Sequence, residues 1–253
     1  MIEISSFSNP RYKFFKSLAK SRNRKKEALF VMEGREELDM AHSKSIRPQS
    51  VLFSESYIKA EELTERYGYE IDLICLTKPL FDELTYQNVP GNYIGIFKTW
   101  HRSLDELKPD QVTVVLESPE KPGNLGAILR TCEAAGITNV LVTDAEIDLF
   151  NPNVIRNSRG ALLSVNAVFC SNGEALDWLG QNKIKVYATS IAPNSIDYRQ
   201  ALKGGPLAYV FGSEAKGISE FWKESAQAIT IPMKGTLDSL NLSVAVGIVL
   251  FNQ

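Results

Sequence analysis

Short strand-like runs alternate with helix-like segments through the second half of the chain, from Gln111 onwards. Repeated β–α units predict a mostly parallel sheet with helices on both faces, which is an α/β fold. Ligands of such sheets bind beyond the carboxyl ends of the strands. The strand-like runs are residues 111–116, 140–142, 165–169, 184–188, 207–211 and 228–231, and the helix-like segments are 125–135, a short stretch near 154, 174–179 and 240–251.

The first half of the chain predicts a smaller α/β domain. Its strand-like runs are 28–32, 50–53, 71–76 and 91–97, with helical stretches between them. The polar segment KTWHRSLDELKPD follows. We therefore expect domains at residues 1–97 and 111–253, joined by a linker at 98–110.

Composition argues against several classes of protein. The 253 residues contain no apolar run near the roughly 20 residues that a membrane span needs, and the N-terminus lacks the basic-then-apolar pattern of a signal peptide. Cys75, Cys132 and Cys170 are far apart and form no CxxC pair, which predicts neither a disulfide framework nor a metal site. We expect a cytoplasmic protein, because the cytoplasm keeps thiols reduced.

The whole chain has a net charge of −2, but a segment near the N-terminus is strongly basic. Residues 11–26 contain eight Lys or Arg and no Asp or Glu. Such a local field attracts nucleic acid whatever the total charge, although a charge run is also typical of a solvated helix face. Tyr12 favours RNA, because aromatic rings stack on unpaired bases. The candidate RNA contacts here are Arg11, Lys13, Arg22, Arg24, Lys25 and Lys26.

Polar residues and glycines follow two strands of the second half. After the first strand, Asn124 lies between two glycines at a helix start, and Arg130 lies further along that helix. The GxGxxG dinucleotide motif is absent, and taken alone Asn124 is a helix cap and Arg130 a surface cation. After the strand at 207–211, the loop GSEAKG resembles a phosphate loop, but Ile218 stands where that loop needs Lys. Glu214 in this loop is instead a good acceptor for a cationic or hydroxyl-bearing ligand.

The stretch 231–251 combines a polar turn with an apolar helix. Pro232 stops the last strand, because proline has no backbone donor. The segment 240–251 is apolar nearly all round, which predicts burial in a core or at a subunit interface. Ser239 is predicted to cap this helix. A single cap leaves Asn241, two residues further on, without an explanation.

Together these three strand ends resemble the three motifs of the SpoU (TrmH-like) RNA ribose 2′-O-methyltransferases. The resemblance rests on NxGxxxR at 124–130, GxExxG at 212–217 and IPMxGxxxSLNxSVA at 231–245, in order and spacing. The segment RNSRGA at 156–161 is similar to the RxSxGA segment of that family, and the N-terminal half, with FVMEGR at 30–35, resembles the substrate-binding domain of many members. Ala215 is a departure, since glycine is frequent at that position.

The resemblance implies a deep trefoil knot in the C-terminal domain, with S-adenosylmethionine bound in the knotted loops. It also implies a homodimer with the knot region at the subunit interface, and transfer of a methyl group to a ribose 2′-hydroxyl of RNA. The catalytic set that it implies is Arg130, Asn124, Glu214, Ser239 and Asn241, and the cofactor-binding set is Thr189, Gly212, Ile231 and Leu240.

Arg130 is not expected to act as a base, because a guanidinium stays protonated in proteins. We expect it to pair with an RNA phosphate and to stabilise developing alkoxide charge. Arg35 and Arg156 join the candidate RNA contacts. The separate N-terminal domain favours ribosomal RNA over transfer RNA. The alternatives are a transfer-RNA 2′-O-methyltransferase, a related enzyme that methylates a base, and a non-catalytic RNA- or ribosome-binding protein of the same fold.

Overall fold

The structure is a computed structural model that describes residues 1–68, 71–86, 92–192, 194–201, 203, 205–236 and 239–252. The chain divides into two compact units. The first unit comprises Met1–Trp100 and Asp148–Leu163, and the second comprises His101–Ile147 and Ser164–Gln253. Across the described ranges, no helix has both the length and the apolar character needed to cross a membrane.

The elements confirm the predicted alternation of strands and helices. Gly91, where the sequence predicts the start of a strand, lies outside the described residues. In chain order the elements are β1 (Ile2–Ile4), α1 (Pro10–Ser17), α2 (Ser21–Glu27), β2 (Leu29–Glu33), α3 (Arg35–Ser43), β3 (Ser50–Phe53), α4 (Ala60–Tyr67), β4 (Asp72–Leu76), α5 (Lys78–Leu84), β5 (Ile94–Lys98), β6 (Thr113–Glu117), α6 (Pro122–Ala134), β7 (Asn139–Thr143), α7 (Pro152–Ser158), β8 (Asn166–Cys170), α8 (Asn172–Gln181), β9 (Lys185–Thr189), β10 (Ile196–Asp197), β11 (Leu207–Phe211), α9 (Glu220–Ser225), β12 (Gln227–Thr230) and α10 (Leu242–Leu250).

The first unit is built on a five-stranded mixed sheet in the order β1-β4-β3-β5-β2. β1 and β3 run parallel to β4, whereas β5 pairs antiparallel with β3 and with β2. Its core buries aromatic and aliphatic side chains from α1, from the sheet and from α5, among them Phe15, Leu52 and Phe81. The sheet therefore anchors the basic N-terminal segment by its apolar face.

The basic segment forms two helices, α1 and α2. Asn9 caps α1 through its side chain, which accepts from the backbone N–H of Arg11 at 2.8 Å, and Pro10 occupies the first helical position. α2 ends at Glu27, and the C-cap Ala28 that follows has a left-handed backbone with φ of 52°. Tyr12 is buried and its hydroxyl donates to Glu83, so the expectation that its ring stacks on RNA is wrong.

Arg24 is also buried, which corrects its prediction as an RNA contact. Only 2% of the residue is exposed. Its guanidinium donates to the carbonyls of Leu18 and Ala19 at 2.8 Å each, and to the Asp148 carboxylate at 2.6 Å. All of these partners lie in the first unit, so Arg24 holds this unit together. Five of the six predicted cations of this segment are exposed: Arg11, Lys13, Arg22, Lys25 and Lys26.

Residues 148–163, far along the chain, complete the first unit. The Phe150 ring lies 4.7 Å from the Phe30 ring, centroid to centroid. Arg159, at the end of α7, makes ion pairs with Glu36 and Glu37 of α3. The sequence prediction had included this segment in the domain at 111–253.

The second unit is built on a seven-stranded sheet in the order β10-β12-β9-β11-β6-β7-β8. Every neighbouring pair runs parallel. This confirms the predicted α/β class and the mostly parallel sheet. The six predicted strands correspond to β6, β7, β8, β9, β11 and β12.

Candidate active site

A cavity of about 730 Å³ lies beyond the carboxyl ends of three neighbouring strands, β12, β9 and β11. This is the edge at which parallel sheets bind ligands. The cavity has apolar walls, including Ile191, Ile229 and Met233, and polar groups between them. Six of the predicted site residues line it: Thr189, Gly212, Glu214, Ile231, Ser239 and Leu240.

The loop after β11 has a fixed backbone conformation. Ser213 and Gly217 exchange backbone hydrogen bonds of 3.1 and 2.9 Å, which closes the loop. A Cβ on Gly212 would lie 2.0 Å from the carbonyl carbon of Gly217, so only glycine fits there. The left-handed position of the loop is Gly217, with φ of 67°, and Ala215 does not need a positive φ. The Ala215 departure is therefore compatible with this loop conformation.

Glu117, at the end of β6, anchors the chain just after this loop. Its carboxylate is buried and accepts hydrogen bonds from Ser219 N–H at 2.8 Å, Ser219 Oγ at 2.6 Å and Asn172 Nδ2 at 2.8 Å. A buried carboxylate needs such donors to offset its lost hydration. Sequence reasoning missed this network, although Glu117 directly follows the apolar run 114–116.

A chain of hydrogen bonds joins the three predicted motifs. Asn124 Nδ2 donates to the Glu214 carboxylate, which also accepts from the backbone N–H of Glu120 at 3.3 Å. Asn241 Nδ2 donates to Asn124 Oδ1 at 3.2 Å. The structure thus brings Asn124, Glu214 and Asn241 together beside the cavity.

Two predicted helix caps are wrong. Asn124 lies inside the first turn of α6, whose N-cap is Lys121. Asn241, and not Ser239, caps α10, because Asn241 Oδ1 accepts from the backbone N–H of Ser243 at 2.9 Å. Asn241 therefore has two functions, a cap through its oxygen and a donor to Asn124 through its nitrogen.

Arg130 is not part of this cluster in the described residues. It is exposed on α6 and makes no hydrogen bond or ion pair with any residue that the structure describes. Arg130 lies six residues after Asn124 on the same helix, so its side chain leaves the helix about 120° away from that of Asn124. Its guanidinium is free to bind a ligand from solution.

Cysteine chemistry does not contribute to the site. Burial raises the pKa of the Cys132 thiol in α6 to about 12, and that of Cys170 to about 11. Such thiols stay protonated near neutral pH and are poor nucleophiles. Within the described residues no cluster of three or more His, Cys, Asp or Glu is arranged to hold a metal ion.

Comparison with known proteins assigns this architecture to a family. The model of the SpoU rRNA Methylase family matches residues 111–251, and the model of the MRM3-like substrate binding domain matches residues 9–95. The chain belongs to the SpoU rRNA methylase family.

Relatives match along the whole chain. The 23S rRNA (guanosine(2553)-2′-O)-methyltransferase RlmP of Bacillus subtilis (strain 168) is 25% identical over 254 residues, covering 100% of this chain and 99% of the relative. A crystal structure of an RNA 2′-O ribose methyltransferase superposes with a TM-score of 0.84 at 33% identity, over 99% of this chain and 97% of the other. An AdoMet-bound rRNA methyltransferase from Sinorhizobium meliloti gives a TM-score of 0.89 at 25% identity, over 99% and 96%.

These findings confirm the family that the motifs predict. They also confirm the enzyme class, an RNA ribose 2′-O-methyltransferase, and S-adenosylmethionine as the methyl donor.

Proposed function

We propose that this enzyme methylates a ribose 2′-hydroxyl of ribosomal RNA in the cytoplasm. The observation that carries the proposal is the hydrogen-bonded chain Asn241–Asn124–Glu214 beside the cavity of the second unit. Matches to rRNA methyltransferases along nearly the whole chain support ribosomal RNA as the substrate class. Residues 1–97 are proposed as the RNA-binding domain, 98–110 as the linker and 111–253 as the methyltransferase domain.

The cavity of the second unit fits S-adenosylmethionine. Its volume of about 730 Å³ is within the usual range for a small-molecule site, roughly 300–1,000 Å³. Apolar walls suit the adenine ring, and the hydroxyl and carboxylate groups suit the ribose and the charged end. The cofactor would supply an electrophilic methyl group. The residues proposed to hold it are Thr189, Gly212, Ile231 and Leu240.

The protein's own residues are proposed to position the ribose and to stabilise the charge that develops on its 2′-oxygen. Glu214 accepts from Asn124, which fixes the amide orientation and directs Asn124 Oδ1 towards Asn241. Arg130 is proposed to pair with the RNA phosphate next to the target and to stabilise the charge that develops on the attacking oxygen. Ser239, on the cavity wall, completes the proposed catalytic set. Catalysis then consists mainly of positioning the hydroxyl.

The decisive experiment separates methyl transfer from cofactor binding. In Arg130→Ala we expect methyl transfer to fall on the order of 100- to 1,000-fold, as when an oxyanion donor is removed. Radiolabelled methyl incorporation into rRNA measures this, and calorimetry should show little change in S-adenosylmethionine affinity. Glu133→Ala, an exposed change on the same helix, is the matched control. Equal loss of transfer and cofactor binding would contradict the role of Arg130.

A homodimer through the knotted second unit is part of the proposal. α10 buries Val246, Val249 and Leu250 and leaves Val244 49% exposed, and the C-cap Phe251 is 65% exposed. Val244, Ile248 and Phe251 recur at helical spacing, so they form an apolar stripe that a second copy would cover. Light scattering of the full-length protein should give twice the 28.2 kDa of one chain, and Val244→Glu should give monomers. A monomeric wild-type protein would refute the dimer.

The RNA contacts are proposed to be the exposed cations. These hold phosphates, so RNA affinity should fall steeply with salt. Charge reversal at Lys25 and Lys26 should weaken RNA binding and reduce that salt dependence. The proposed contacts in the first unit are the exposed Arg11, Lys13, Arg22, Lys25, Lys26 and Arg35, together with the half-buried Arg156.

A further inference from the structure

A second cavity, of about 720 Å³, lies entirely within the first unit. Its floor is the mixed sheet, and α7 forms one wall through Ile155 and Arg156. Methyl transfer by the second unit gives this cavity no function. Its interior is apolar and includes Phe15, Leu18, Val31, Leu52, Ile94 and Ile96.

An aromatic side chain stands at this cavity with one ring face covered. The Arg156 guanidinium carbon lies 3.4 Å from the ring centroid of Tyr86, which is a close cation–π stack. Arg156 is itself held by Asn153, to whose Oδ1 it donates at 3.1 Å. Tyr86 remains 65% exposed. An exposed ring that is backed by a planar cation is a platform for a further flat group.

Polar groups hold the backbone at Tyr86. The Glu33 carboxylate accepts from the backbone N–H of Tyr86 at 2.7 Å, from Asn92 Nδ2 at 2.8 Å and from Thr85 Oγ1. Asn92 is only 4% exposed. The backbone that carries the ring is therefore held by hydrogen bonds, which lowers the conformational entropy lost when a ligand stacks on it.

The charges around the cavity are of both signs. The cations are Lys16, Arg24, Arg35, Arg156 and Arg159, and the acids are Glu33, Glu36, Glu37 and Glu83. Arg24 is already paired with Asp148. A mixed lining of this kind does not favour a free anion, but it suits a neutral aromatic group that can accept and donate hydrogen bonds. Arg35 is exposed and makes no hydrogen bond or ion pair within the part of the chain that the structure describes, so it is available to a phosphate beside that group.

We propose that this cavity binds an unstacked nucleobase of the RNA, with Tyr86 and Arg156 as the stacking platform and Arg35 on the adjoining phosphate. Proteins read single-stranded RNA by stacking splayed bases on aromatic rings and guanidinium planes. The site would select unpaired over paired RNA. The inference rests on the proposed function for RNA as the polymer.

The test uses the full-length protein with fluorescein-labelled oligo(A) and oligo(U), and a duplex of the same length as comparison. Tyr86→Ala should weaken binding of the single strands by about fivefold to 100-fold, the usual range for one base–aromatic stack, and should leave duplex binding within about twofold. Tyr86→Phe keeps the ring and should bind like the wild type. Arg156→Lys keeps the charge but loses the planar stack, so it should also weaken single-strand binding.

The matched control is Tyr198→Ala, since Tyr198 also lies against an arginine, Arg199, but in the second unit. An oligonucleotide with 2-aminopurine gives a second readout, because its fluorescence is quenched by stacking in the wild type and in Tyr86→Phe only. Unchanged single-strand binding in Tyr86→Ala, or equal loss for duplex and single strand, would overturn the proposal. Methyl incorporation into rRNA is measured separately, so absence of methylation would reject the proposed function without deciding the nucleobase site.

Discussion

The two cavities have nearly the same volume, about 720 and 730 Å³, but they are built differently. The cavity of the second unit is made by loops that follow neighbouring parallel strands. The cavity of the first unit is made when residues 148–163 lie against a sheet formed by residues 2–98. The cavity of the second unit depends on backbone geometry at a sheet edge. The cavity of the first unit depends on side chains that attach a distant segment of the chain.

We therefore expect the two units to be sensitive to different kinds of substitution. The loop at Gly212 tolerates no added atom, because its own backbone occupies the space. The segment 148–163 is attached by ion pairs, of Arg24 with Asp148 and of Arg159 with Glu36 and Glu37. Side-chain deletions should therefore damage the first unit, and a single methyl group should damage the second.

The largest effect is expected at Arg24. Arg24→Ala removes one partner of an ion pair whose side chains are only 3% and 14% exposed, and leaves the largely covered Asp148 carboxylate without its cation. We expect the free energy of unfolding of the first unit to fall by about 3–5 kcal/mol. Urea denaturation of the full-length protein measures this. Arg22→Ala, an exposed neighbour, should change stability by less than about 0.5 kcal/mol. Similar small losses in both variants would show that the pair does not attach the segment.

Gly212→Ala should give the next largest effect. The new methyl would overlap Gly217, so the loop must move out of the wall of the cavity. We expect S-adenosylmethionine affinity to fall about 100-fold, which corresponds to ~2.7 kcal/mol, by calorimetry. Gly180→Ala in α8 is the control, because nothing lies within 4 Å of its added Cβ. Normal affinity in Gly212→Ala would mean that the loop does not shape the cofactor site.

The smallest effect is expected at Glu37. Burial raises the pKa of its carboxyl above the ordinary value of 4.5. The folded state therefore holds this proton more tightly, and the associated stability is present below about pH 4.5 and lost as the pH rises through the raised pKa. Between about pH 4 and about pH 7, the free energy of unfolding of the wild type should fall by under about 1 kcal/mol more than that of Glu37→Gln.

Denaturation at these two pH values measures the loss, and Glu65→Gln, an exposed change in α4, serves as the control. An identical pH dependence in the wild type and Glu37→Gln would show that the Glu37 carboxyl is not desolvated.

Local patterns predicted the larger elements well. The strands β3 and β11 have the predicted bounds, since each is a short, fully buried run that is apolar except for Ser50 at the start of β3. The strands β1 and β10 were missed, because they have only three and two residues, too few to show an alternation of apolar and polar side chains. Both are edge strands that pair with a single neighbour. The cap of α10 was assigned to Ser239 instead of Asn241, since both residue types cap helices and only the backbone geometry distinguishes them.

The sequence by itself determined the alternation of strands and helices, the three motifs at strand ends and hence the chemistry of the second unit. These features are local, and a parallel sheet then brings neighbouring strand ends together. Only the tertiary structure decided which cations of the basic segment face solvent. Arg24 is buried where it pairs with Asp148, which lies 124 residues further along the chain. No local sequence pattern encodes a contact over that separation.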